Sequence, residues 1–94
     1  MIKEILEVSK QAPNRHPYSV LAKLMEEVGE LAQEVNIKLG FINKPEGKDG
    51  IIGECIDIIN CVIDIIHLFH PDTTKEQIEE ISNKKLDKWK SHFN

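Results

Sequence analysis

The sequence predicts an all-α fold, with residues 1–94 forming a single domain of four helices packed as a bundle-like unit. Three observations carry this expectation. Apolar residues recur at spacings of three and four along most of the chain, which is the helical period. No stretch alternates polar and apolar residues as a half-buried strand does. Each proline falls between the periodic segments, where it ends one helix or precedes the next.

Residues 2–11 form the first predicted helix, with Ile2, Ile5, Leu6 and Ser9 on one face and Val8 to one side. The run Ala12 to Pro17 breaks it. Ser19 is the expected N-cap of the second helix. Val20, Leu21, Leu24, Val28, Leu31, Ala32 and Val35 form its apolar stripe, and it runs to about Leu39, with Gly40 as the C′ residue. Lys23, Glu27, Glu30 and Glu34 lie at the margin of that stripe, toward the crevice beside a neighbouring helix. Residues 41–50 are rich in turn formers. The third helix starts at residue 51 and ends near His70 and Pro71. Asp72 or Thr73 is the expected cap of the fourth, with Glu76 completing a capping-box pattern after Thr73. Ile78, Ile81, Lys85, Leu86 and Trp89 set its face.

The third helix is apolar almost all round, which predicts burial on most sides. A chain of 94 residues buries only roughly 60–65% of its unfolded surface. A homodimer or homotetramer is therefore expected. The formal net charge of −4 argues against a nucleic-acid partner, which clustered Lys and Arg would bind. Acids interrupt the apolar run too often for a membrane span, and the acidic, amphipathic start does not read as a signal peptide. Cys55 and Cys61 lie six apart on one helix, about 9 Å by helical rise, which is too far for a disulfide. Free thiols in a core point to a reducing, cytoplasmic setting.

The chemistry is expected where acids meet that apolar helix. Glu54, Asp57, Cys61 and Asp64 recur along one stripe of it. Carboxylates in such surroundings need a partner or a metal to stay charged. The second helix offers Glu27-x-x-Glu30 and the third Glu54-x-x-Asp57, and residues three apart are neighbours on a helix surface. Packed antiparallel, the two pairs would converge on one point. Glu27, Glu30, Glu54 and Asp57 are thus candidate ligands of Mg²⁺, with Mn²⁺ as the alternative ion. Mg²⁺ takes oxygen ligands and is commonly completed by substrate phosphates. Glu27 and Glu30 are also the candidate catalytic bases, taking a proton from water. Asn60, one turn after Asp57, and His16, before the second helix, are candidate substrate contacts. Lys23, four before Glu27, is placed to pair with it.

The segments Leu24-Met25-Glu26-Glu27-Val28-Gly29-Glu30-Leu31-Ala32 and Gly53-Glu54-Cys55-Ile56-Asp57-Ile58-Ile59 resemble the two signature helices of the MazG-like nucleotide pyrophosphohydrolases. These belong to the all-α nucleoside triphosphate pyrophosphatase superfamily. The resemblance spans roughly residues 19–90, and Asp64 also falls where some short members carry an acid. It implies hydrolysis of a nucleoside triphosphate to the monophosphate and pyrophosphate, with Mg²⁺ held by the four acids, in a nucleotide-pool house-cleaning role. It also implies that Asn83 and Lys85 of the last helix reach the phosphates. The chain departs from relatives that carry an arginine a few residues further on, having Lys88-Trp89-Lys90 there. Lysine lacks arginine's bidentate fork.

Two rival expectations remain. A di-iron or di-manganese carboxylate bundle would need Glu-x-x-His from two helices, and neither pair here has it. A non-catalytic helical interaction module that keeps the metal is the other.

Overall fold

A computed structural model describes residues 1–93. It contains α1 (Ile2–Gln11), α2 (Pro17–Lys38), α3 (Gly50–Phe69) and α4 (Lys75–Ser91), and no strand among the described residues. The fold class is all-α, as the periodicity indicates.

α1 buries Leu6 and Ser9 and ends at Ala12, whose extended backbone leads into Pro13. The N-cap of α2 lies three residues before the expected one. His16 is its N-cap, and the His16 Nδ1 accepts the Tyr18 N–H at 3.1 Å. Pro17 sits in the first turn, where its missing N–H costs nothing, so Ser19 lies inside the helix. The far end matches the expectation: Leu39 is the C-cap and Gly40 follows with φ +82°. α3 starts at Gly50, itself at φ +57°, and ends at His70 before Pro71.

The α4 cap is displaced by one residue from the expected one. The Thr73 N–H closes a turn onto the His70 carbonyl at 2.9 Å, which leaves Thr74 to open the helix. Thr74 Oγ1 accepts the Gln77 N–H and the Gln77 side chain accepts the Thr74 N–H, a complete capping box.

α2 and α3 run antiparallel and make the main helix pair. The segment entering α2 meets the end of α3 at Arg15 and Asp64, and the last part of α2 meets the loop before α3 at Glu34 and Gly47. α1 packs on α3, while α4 packs on α1 alone. Within one chain, α4 therefore does not close a four-helix bundle. A cleft of about 530 Å³ lies between Ile66 and His70 on one side and Ile78 and Ile81 on the other.

The burial pattern of α2 also corrects the expected stripe. Val20 is buried, and Leu24, Leu31 and Val35 are half-buried. Leu21, Val28 and Ala32 are exposed, and the places nearest α3 go to Glu27 and Glu34, which are buried. The expected face of α4 is also largely open, since Ile81, Leu86 and Trp89 are exposed and no α4 residue is buried. The molecule is flat, 45 × 44 × 21 Å, with a radius of gyration of 15.7 Å, against roughly 12 Å for a compact domain of this length.

Candidate metal centre

Antiparallel packing sets the start of α3 beside the middle of α2. The side chains of Glu27, Glu30 and Glu54 each bring a carboxylate oxygen into a group whose members lie within 4.8 Å of one another. Two helices thus deliver the convergence expected from the i, i+3 spacing for three of the four acids. Asp57 is exposed and its oxygens fall outside this group, yet its charge still acts on Glu54.

The electrostatics of the cluster are strained without a cation. Burial pushes the Glu54 carboxyl up to about 7, helped by its hydrogen bond with Glu30 and by the negative charges of Glu30, Glu27 and Asp57. Glu27 goes the other way: the Lys23 ammonium, 3.2 Å from Glu27 Oε1, holds it below the usual carboxylate range against the opposing effect of burial. Lys23 also lies 3.6 Å from Glu26. One oxygen of Glu27 and one of Glu54 are buried without a hydrogen-bond partner. A buried carboxylate oxygen with no donor is costly, and a hard divalent cation satisfies it. The donor set is all oxygen, which suits a hard divalent cation over softer ions.

The remaining expected residues are not gathered there. Asn60 is exposed and lines a neighbouring cavity of about 360 Å³ between α1 and α3, with Ile5, Val8, Ser9, Cys61 and Asp64 among its walls. Burial pushes the Cys61 thiol up, and the charge of Glu27 adds to it, while the cavity walls include none of the three clustered glutamates. His16 is exposed and committed to capping α2. Asn83 and Lys85 are exposed on α4, which touches neither α2 nor α3.

Two arrangements at the ends of the same groove escape the motif-based reading. Arg15 clamps Asp64: its Nε donates to Asp64 Oδ2 at 3.1 Å, and a second nitrogen bonds the other carboxylate oxygen. That second nitrogen also reaches the Ser9 carbonyl at 3.2 Å and the Ser9 hydroxyl at 3.1 Å, and the hydroxyl donates to Asp64. Asp64 thus neutralises the one arginine and does not join the metal cluster. At the other end, Glu34 Oε1 accepts the Gly47 N–H at 2.9 Å, while Oε2 is buried without a partner. A Cβ on residue 47 would lie 2.6 Å from that Oε1, so a larger residue there would push the Glu34 carboxylate out of this hydrogen bond. The signal for Glu34 was its place seven residues after Glu27, two turns along the same face.

No helix among the described residues is long and apolar enough to cross a membrane. No known family model, curated protein or solved structure matches the chain.

Proposed function

We propose that the chain is a Mg²⁺-dependent nucleoside triphosphate pyrophosphohydrolase that acts in nucleotide-pool house-cleaning. The observation that carries this reading is the set of three mutually close glutamates with two orphaned buried oxygens. The likeness of the Glu27-x-x-Glu30 and Glu54-x-x-Asp57 segments to the MazG-like signature supplies the substrate class. Glu27, Glu30 and Glu54 would hold the cation, and the exposed Asp57 lies outside that group. The ion would neutralise phosphate charge and acidify water there.

The protein's own groups divide the remaining work. Glu27, whose carboxyl Lys23 holds below the usual carboxylate range, would be an anionic ligand. Glu30 is exposed and is the better-placed group to accept the proton of the attacking water. Water adds at the α-phosphorus, the α–β anhydride bond breaks, and monophosphate and pyrophosphate leave. The same reading takes the chain as a subunit of a cytoplasmic homodimer or homotetramer, and within one chain Asn83 and Lys85 lie on α4, apart from the glutamates.

A second reading, a non-catalytic metal-binding module, draws on one observation: the α4 lysines lie away from the glutamates. A nucleotide panel with Mg²⁺ separates the two. Pyrophosphate release that disappears on chelation and in Glu54→Gln supports the enzyme. Metal binding without turnover of any nucleotide supports the module.

A further inference from the structure

The outer face of α2 has no occupant within the chain. Leu21, Met25, Val28 and Leu39 are 45%, 56%, 43% and 63% exposed. With exposed Ala32 and half-buried Val35 between them, these residues recur at spacings of four, three, four, three and four. That is the 3.5-residue period of a seam between two packed helices. On an ordinary surface helix the apolar side faces the core. Here the side toward α3 holds the buried glutamates, and the side toward solvent holds the seam.

Gly29 lies on the same outer face. A glycine inside a helix costs about 1 kcal/mol relative to alanine, and a Cβ at position 29 would meet nothing within 4 Å. Nothing in the chain calls for the missing side chain, whereas the backbone of a second helix approaching closely does. The accessible surface of the whole chain, open α4 included, leaves room for assembly. It is 7323 Å² for a chain of 10.8 kDa, about 1,800 Å² above the value expected of a compact monomer of that mass. A surplus of that size on each of two chains falls in the range that obligate homodimers bury.

We propose that a second copy of the chain docks here, α2 against α2 in antiparallel fashion, with a two-fold axis near Val28 and Gly29. The proposal rests on the self-assembly reading above and names the surface that performs it. About that axis Met25 of one copy meets Ala32 of the other, and Val28 meets Gly29, so large residues face small ones. The contact is self-complementary and closes. The open face of α4 is the weaker choice, because Lys84, Lys85, Lys88 and Lys90 interleave its apolar residues. The pairing leaves Glu27, Glu30 and Glu54 on the opposite side of each α2, free to take metal and substrate.

Sedimentation of the full chain tests this, with Met25→Glu as the disrupting variant and circular dichroism to verify its helices. Met25→Glu should halve the particle mass. Val28→Cys, which stays close to native volume, should form a covalent dimer under mild oxidation beyond any formed by the native Cys55 and Cys61. An assembled Met25→Glu, or an assembled Val28→Cys that does not cross-link, overturns the α2 face and leaves self-assembly standing. A monomeric wild type at tens of micromolar overturns both.

Discussion

Glu54 is the residue at which structure and chemistry meet. Its carboxyl is pushed up to about 7 by burial and by neighbouring acids, so in metal-free protein near neutrality it holds a proton about half the time. An acid raised in the folded state makes folding most favourable below its ordinary value of 4.5, and that advantage is lost as pH rises through about 7. Thermal melts in EDTA should therefore show stability declining across that window. Glu54→Gln removes the clashing charge, so at pH 8 in EDTA it should melt at or above wild type, while Mg²⁺ should stabilise wild type and not the variant. A variant that melted lower in EDTA would contradict the like-charge strain. Asp64 has the opposite sign. Burial raises it, but the hydrogen bonds from Arg15 and Ser9 outweigh that and hold it below the usual carboxylate range. Its contribution is present above pH ~4 and lost as pH falls below. Asp64→Asn should cost about 2 kcal/mol in urea unfolding at pH 7, the worth of a charge-assisted hydrogen bond. Glu27, Glu30 and Glu54 were legible in the sequence because helical spacing alone sets which residues share a face. The role of Asp64 was not, because its partner Arg15 lies 49 residues away, before α2, and only the packing of three segments brings them together.

At the level of the elements, helix ends were less legible than helix existence. Thr73 with Glu76 and Thr74 with Gln77 both fit a capping box. The turn that closes from Thr73 onto His70 decides for Thr74. Thr74→Ala should cost about 1 kcal/mol of local α4 stability and Thr73→Ala well under half of that. Amide exchange over the first turn of α4 reads the difference, since α4 has no buried residue to tie its opening to global unfolding. The start of α2 was misplaced for a similar reason: serine is the commoner cap, yet the proline that follows His16 fixes the first helical turn three residues earlier. The stripe assignment on α2 failed more informatively. Sorting residues by polarity puts Leu21 and Val28 inward, but the inward place goes to buried Glu27, whose carboxylate lies within 4.8 Å of that of Glu54. The cluster of glutamates overrode the ordinary partition of polar and apolar faces. Glu34→Ala and Gly47→Ala each break the same tie between α2 and the loop, so the double variant should cost little more than either single change, as read by urea unfolding of all three.

For the whole molecule, the thin core sets the terms. Leu6, Val20 and Ile63 are the fully buried apolar residues among those described, in a slab only 21 Å thick. Stability must then draw on what binds the folded state. If the glutamate cluster binds Mg²⁺, a hundredfold excess over its dissociation constant should add about 2.7 kcal/mol, which for a chain of this size raises Tm by roughly 10–20 °C. Chelation should reverse that gain and leave the helices formed, because helical hydrogen bonds do not depend on the ion. A second copy acts by the same mass action. If α2 pairs with α2, unfolding is coupled to dissociation, and each tenfold dilution removes about 1.4 kcal/mol from the dimer. Divided by the unfolding entropy of two chains, that lowers Tm by roughly 3 °C per tenfold dilution. Melts in EDTA across a thousandfold range of protein concentration isolate this effect from metal binding. Wild type should shift with concentration and Met25→Glu should not. A wild-type Tm independent of concentration would mean that the thin slab is stable alone, and that its exposed apolar seam on α2 has some other use.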